Sequence, residues 1–324
     1  MLQNAIQIGS LTLKNRLVMP PMATGKSDTG YVTEELISYY RDRAQFSEPG
    51  LIILEHAFIS PAGRASAGQL SIADDACITG LTKLVQAIHE AGSAVIAQLN
   101  HAGSGAEPET PGVNLSASAV ASPRKPDSGV PREMTRTEIL LTEADFVRAA
   151  LRAVRAGCDG VEIHSAHSYL LNQFYSPLTN RRTDEYGPQT MENRLRFHLE
   201  TVDAVRKAVG PDVPIALRLG GADYLPSGST EEDAVEACRM LEPAGVNLID
   251  LSGGMCGYVR PEHAEPGYFS SMSEKVKAAV DVPVLVTGGV KTIADAEALL
   301  QEGKADLIGV GRALYRDARW LERA

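Results

Sequence analysis

The chain reads as a single (β/α)8 TIM barrel of the α/β class over residues 1–324, with a short N-terminal β element and a long loop after its third strand. Two observations lead there. Eight short, almost wholly apolar runs recur along the sequence, and most are followed by a segment whose apolar residues fall three or four apart. Strands apolar on both faces belong to a parallel sheet covered on both sides. Their regular alternation with helices favours a sheet closed into a ring over an open, doubly wound one. A chain of 324 residues is long enough for two domains, yet single barrels of this kind run to the same length.

In order, the strand-like runs are 17–22, 51–54, 94–99, 160–163, 215–219, 248–251, 284–286 and 307–310. Helical character falls at 80–91, 143–156, 191–209, 231–241, 272–280 and 293–301. In the first of these, Leu81, Leu84, Val85 and Ile88 share one face. Thr33 before Glu34-Glu35, and Ser229-Thr230 before Glu231-Glu232, set a hydroxyl cap ahead of an acidic first turn and mark helix starts. Residues 101–142 make a loop long for a compact domain, with Pro108, Pro111, Pro123, Pro126 and Pro131. This loop is expected to cover a pocket and has room for a short hairpin. The loop Ser252-Gly253-Gly254-Met255-Cys256-Gly257-Tyr258 is expected to line the other side of that pocket. An open nucleotide-binding sheet would require a glycine-rich turn after an early strand. The nearest match, Gly309-Val310-Gly311-Arg312-Ala313-Leu314, lacks the third glycine and follows the last strand.

Composition narrows the partners. A net charge of −10 disfavours nucleic acid and anionic membrane surfaces. No apolar run is long enough to span a bilayer, and the first eleven residues lack a signal-peptide layout. Cys77, Cys158, Cys238 and Cys256 show no metal-binding spacing, so neither a metal nor an iron–sulfur centre is expected within the chain. Scattered thiols in an acidic chain fit a reducing cytoplasm. Cys158 reads as core, and Cys256 as a bystander in a glycine-rich loop.

The most informative stretch is Gly160-Val161-Glu162-Ile163-His164-Ser165-Ala166-His167-Ser168-Tyr169, a buried strand ending in two histidines and a tyrosine. Two imidazoles at this spacing can both donate to one oxygen. A tyrosine two residues on can lend a proton from the same side. The alternatives are a metal pair, for which a third ligand is not evident, or ordinary buried histidines. Other strand ends add Pro21-Met22-Ala23-Thr24, Glu55-His56, Gln98-Leu99-Asn100-His101 and Arg218, and in a barrel these converge on one face. Arg218, flanked by apolar residues, requires an anionic or electron-rich ligand or a nearby carboxylate. Gly288-Gly289 and Gly311-Arg312 follow the seventh and eighth strands, where barrels of this kind bind phosphate. A planar, phosphorylated, hydride-carrying heterocycle would use all these groups, and flavin mononucleotide (FMN) is the candidate.

Ordered motifs carry a resemblance over nearly the whole chain. They are Lys14-Asn15-Arg16-Leu17-Val18-Met19-Pro20-Pro21-Met22, Ala97-Gln98-Leu99-Asn100-His101-Ala102-Gly103 and His164-Ser165-Ala166-His167-Ser168-Tyr169-Leu170-Leu171. Phe174-Tyr175-Ser176-Pro177-Leu178-Thr179-Asn180, Arg182-Thr183-Asp184-Glu185-Tyr186-Gly187 and Glu192-Asn193-Arg194 complete the set. The chain resembles the Old Yellow Enzyme family of FMN-dependent oxidoreductases. The resemblance implies that Pro21, Met22 and Ala23 lie along the flavin, that His56 presents backbone to it, and that Gln98 bonds its pyrimidine part. Arg218 would stabilise negative charge on the reduced ring, and Gly289, Gly311 and Arg312 would hold the phosphate. His164 and His167 would bind the substrate's carbonyl oxygen, while Tyr169 protonates the adjacent carbon and hydride passes from the flavin to the β-carbon.

NADH or NADPH would first reduce the flavin in a ping-pong cycle. The substrate would be an electrophilic alkene such as an α,β-unsaturated carbonyl, and the protein a homo-oligomer. The alternative is a non-reductive flavoprotein on the same barrel, such as a demethylase or isomerase, or the flavin domain of a 2,4-dienoyl-CoA-reductase-like system. Two features depart from relatives. Ala23 and Thr24 stand where a cysteine or threonine tunes the flavin, and Gly25 replaces a substrate-contacting tyrosine.

Overall fold

A computed structural model describes residues 1–107, 114–124, 126 and 129–323, so Pro108, Pro111 and Ala324 lie outside the described residues. Among the described residues, eight parallel strands close into a ring: β1 (Leu17–Met19), β2 (Leu51–Ile53), β3 (Ala94–Asn100), β4 (Gly160–Ser165), β5 (Ile215–Ala222), β6 (Leu248–Gly253), β7 (Val284–Thr287) and β8 (Leu307–Gly309). Each pairs with the next, and β8 returns to β1 through Ile308 opposite Leu17. All eight apolar runs are strands, although they end one to three residues earlier or later than the apolar run itself.

Successive strand residues face opposite sides, which divides the core in two. Ile52, Val95, Ala97, Val161, Ile163, Leu217, Ile249, Val286 and Ile308 meet the surrounding helices. Val18, Leu51, Ile53, Ile96, Ala216, Leu248, Leu285 and Leu307 fill the ring itself. The N-terminal element is an antiparallel hairpin, Ile6–Ile8 with Leu11–Leu13, whose Ile8 and Leu13 join this inner cluster and close its lower end. Continued along the same alternate positions, the interior turns polar at Gln98, Asn100, Glu162, His164, Arg218, Asp250 and Ser252, all buried.

The helices Met191–Val209, Glu231–Leu241 and Ile293–Gln301 fall where the periodicity sets them. The helix read from 143 begins earlier, spanning Arg136–Arg155, because Thr135 and Glu138 form a capping box in which each satisfies the other's backbone N–H. Thr33 and Thr230 cap their helices as expected. In the long loop the pairing differs from a hairpin. Leu115–Ser116 and Arg132–Glu133 run parallel, which a tight hairpin turn cannot produce. No helix of the described residues is long and apolar enough to cross a membrane.

Replacing the cap Thr230 by alanine removes the acceptor for the Asp233 N–H. It should lower unfolding stability by about 1 kcal/mol, read as a shifted urea midpoint with unchanged slope.

Candidate active site

The residues singled out in the sequence gather at the C-terminal rim. His164 is the fifth residue of β4 and faces inward. The chain then turns through His167 and Ser168 with φ of 60° and 62°, left-handed values unusual for side chains with a Cβ. The turn is held on every side. His167 N–H donates to Gly253 O at 3.2 Å, and Ser168 N–H to Asn172 Oδ1 at 2.9 Å. Gln173 Nε2 donates to Ser168 O at 2.6 Å. Tyr169 caps the short helix Leu170–Tyr175, every residue of which is buried. A locally costly backbone survives where its surroundings fix it this thoroughly, and such places concentrate at functional sites.

The outcome is a ring cluster. His164 and His167 meet edge to face with centroids 5.1 Å apart, and His164 and Tyr169 at 5.2 Å. Among the described residues no set of three His, Cys, Asp or Glu side chains is grouped to hold a metal. Burial, reinforced by the nearby Arg218 charge, holds both imidazoles well below the ordinary histidine range, so they are neutral. His167 Nε2 lies 2.8 Å from Ser252 Oγ, which leaves Nδ1 for a ligand. Burial also raises the Tyr169 phenol. Arg124 from the long loop reaches His167 O at 3.3 Å and lies over the Tyr258 ring, 5.0 Å from its centroid. The two loops expected to flank a pocket thus meet at His167.

Below this cluster lies a charged layer. Arg218 Nε sits 3.1 Å from Asp250 Oδ2, its neighbour across the β5–β6 pair. The nearby carboxylate left open for Arg218 in the sequence is therefore present. Gln98 Nε2 donates to Glu162 Oε1 at 2.8 Å across the β3–β4 pair. Burial, and then the Asp250 charge, push Glu162 up, with Arg218 opposing. Burial raises Asp250 too. The guanidinium thus pairs with Asp250 and, from nearby, favours the charged form of Glu162.

The turns after β1, β7 and β8 adjoin one another. A Cβ at Gly311 would stand 3.2 Å from Met22 Sδ, and one at Gly289, where φ is 70°, would strike Glu265 O. At Gly289 only glycine lets the backbone come this close. Arg312 Nη2 lies 3.5 Å from Tyr268 Oη. Pro21 is half-buried, as is Met22 beside Gly311, while Ala23 is exposed and Thr24 Oγ1 accepts from Lys26 N–H.

With this geometry in place, comparison with known proteins is decisive. Residues 2–324 match the NADH:flavin oxidoreductase / NADH oxidase family. The chain belongs to that family. It is similar to an NADH oxidase of Thermoanaerobacter brockii, 39% identical over 98% of this chain and 50% of the relative. An NADPH dehydrogenase of Geobacillus thermodenitrificans is 40% identical over 96% of this chain and 89% of the relative. Among solved structures, a 2-naphthoyl-CoA reductase superposes with a TM-score of 0.92 at 28% identity, covering 99% of this chain and 51% of that one. The chain spans about half the length of the first relative and of this reductase.

FMN is the cofactor of the NADH:flavin oxidoreductase family, with NADH or NADPH as reductant. The residues fit it. Both amide atoms of Asn100, Asp250 Oδ1, Thr287 Oγ1 and His164 Nδ1 are buried without a hydrogen-bond partner among the described residues. Leaving this many polar atoms unmatched is costly unless a polar ligand meets them.

Sequence reasoning gave no role to Glu162, Asp250 and Gln69, and placed Ser252 only in a loop lining the pocket. Glu162 and Asp250 carried the signal that exposed Arg218, a charge between apolar residues within a strand. Gln69 had none. The His56 side chain has contacts to which the sequence reading gave no role. Its backbone follows β2, but its side chain bonds Tyr169 and Gln69.

A carboxyl raised to about 8 in the folded state binds its proton more tightly there than when unfolded. Its share of stability is full below the unfolded value of about 4.3 and is lost as pH rises toward the folded one. The apoprotein of Glu162→Gln should therefore gain thermal stability relative to wild type as pH is raised between those limits. A difference in Tm that stays flat across the range would contradict the buried-proton assignment.

Proposed function

We propose that residues 1–324 form one FMN-binding barrel that takes hydride from NADH or NADPH and reduces the activated C=C bond of an α,β-unsaturated carbonyl or similar electrophile by a ping-pong mechanism. The observation that carries this reading is the convergence of two neutral imidazoles and one phenol on a fixed turn above a buried guanidinium. FMN, when bound, supplies the hydride. Pro21, Met22, Ala23 and the His56 backbone would flank it, Gln98 and Arg218 would hold its polar edge, and Gly289, Gly311 and Arg312 its phosphate. Arg218 is suited to an anionic ring because its pairing with Asp250 across the β5–β6 strands holds the guanidinium in place.

His164 and His167, being neutral, each present one N–H to the substrate's carbonyl oxygen and so drain electrons from the double bond. Tyr169 then gives its phenolic proton to the carbon beside the carbonyl. A redox-inactive flavoprotein that only binds its ligand would leave that proton donor without a task. The barrel works on small molecules, as a cytoplasmic homo-oligomer, rather than on nucleic acid or at a membrane.

Anaerobic stopped-flow tests the reading. The flavin absorption should bleach with NAD(P)H and recover on adding cyclohexenone. In Tyr169→Phe the bleaching step should persist while recovery slows by about 10²-fold, the usual worth of a general acid. Recovery at the wild-type rate would remove Tyr169 from the chemistry. Exchanging His164 and His167 for alanine should weaken binding of a phenol ligand, followed by its charge-transfer band. Undiminished affinity would end their role as oxygen holders.

A further inference from the structure

The segment after β2 carries a short chain of contacts to Tyr169 that the reaction as described does not use. Ala65 N–H donates to Gln69 Oε1 at 2.6 Å. A backbone N–H has only a proton to offer, so this bond fixes which end of the Gln69 amide is oxygen. The other end, Nε2, then faces His56, 3.0 Å from Nδ1 and 3.2 Å from the His56 carbonyl oxygen. Both groups can be satisfied by the two amide protons. His56 Nδ1 is therefore an acceptor, and the single proton of the neutral ring resides on Nε2. That nitrogen lies 3.2 Å from Tyr169 Oη, with the rings edge to face at 5.5 Å. Gln69 is buried, so water does not compete for the amide.

We propose that His56, locked in its Nε2–H tautomer by Gln69, is a positioning residue that donates a hydrogen bond to the Tyr169 oxygen and so frees the phenolic proton for the substrate. The inference rests on the proton-donor role given to Tyr169 above. When the Tyr169 O–H bond breaks, the proton goes to the substrate carbon and the electron pair stays on Oη. His56 Nε2–H is already directed at that charge and stabilises it, and the proton is later regained from water. A charge-assisted bond of this kind is stronger than the neutral bond it grows from, which makes the phenol a better acid in the step that needs it. The reverse tautomer would take the phenolic proton as a hydrogen bond to nitrogen and hold it back. His56 does not carry the proton onward, because its Nδ1 faces an amide N–H and has no room for a second one. Burial and the Arg218 charge agree in keeping the ring neutral. The other charged or titratable groups near Tyr169 are Arg124, Tyr258 and His164.

Two readouts on the FMN-loaded enzyme test this, the first without turnover. Nitrogen-15 NMR of His56, assigned by loss of its signals in His56→Leu, should show a protonated Nε2 and an unprotonated Nδ1. A protonated Nδ1 would overturn the proposal whatever Tyr169 does in catalysis. The second compares His56→Leu with His56→Gln, whose amide can still donate. His56→Leu should raise the Tyr169 phenol pKa, read by carbon-13 NMR of labelled tyrosine, and slow enone reduction by about tenfold, a change equal to about one unit of acidity. His56→Gln should restore much of both. An unmoved phenol pKa in His56→Leu would overturn the proposal. A pKa that rises while enone reduction is unaffected would keep the bond and discard Tyr169 as proton donor. Should His56→Leu fail to fold, Gln69→Leu loosens the lock from outside the cluster and should mix the two tautomers in the nitrogen spectrum.

Discussion

Closing a parallel sheet into a ring forces every second side chain of each strand into one enclosed column, and the sequence uses that column in two ways. Its lower half is sealed by Val18, Leu51, Ile96, Ala216, Leu248, Leu285 and Leu307, with Ile8 and Leu13 of the hairpin as a plug. Its upper half holds Gln98, Glu162, Arg218 and Asp250, each fixed by neighbours one strand away. Charges so far from water are tolerable only when matched. Breaking such a set by removing one partner typically costs 3–5 kcal/mol, roughly what distinguishes a stable domain from a marginal one. The apolar plug thus sets the depth at which polar chemistry can begin, and Arg218 marks that boundary.

Above the boundary, precision comes from backbone rather than from strands. His167 and Ser168 occupy left-handed conformations, and the residues around them hold that shape. The motifs beyond Tyr169 serve the same purpose. Asn180 Nδ2 donates to Phe174 O and Tyr186 O at 2.8 and 2.7 Å, and Arg194 Nε donates to Tyr175 O at 2.7 Å. Arg182 ties Ala117 O and Met134 O of the long loop to the same region. Asp223 accepts from Met255 N–H and Ser229 N–H, both at 2.8 Å, anchoring the loop after β6. These residues do no chemistry themselves. They determine where His167 and Tyr169 stand, and in a site of this kind a displacement near 1 Å is costly.

The fold was legible because its signals are local. Apolar runs and three-to-four spacing depend on neighbours within one strand or helix, and Thr33 and Thr230 declare their helix starts within four residues. The groups that crowd the site were legible by type: a buried arginine, a histidine pair with a tyrosine, glycines at two late strand ends. The long loop was legible as a loop, but not its parallel pairing, which sets Leu115 opposite Arg132.

What the sequence determined by itself was the class of fold, the rim where the site would form and the kinds of side chain gathered there. Tertiary structure alone decided who touches whom. Gln98 meets Glu162 across 64 positions, His167 meets Ser252 across 85, and His56 meets Tyr169 across 113. Such pairings follow from the register in which eight strands close, and a one-residue slip in register turns every side chain to the other face. No local pattern encodes that register. It is fixed when the whole inner column packs at once, and with it the tautomer of His56 and the charge balance around Arg218.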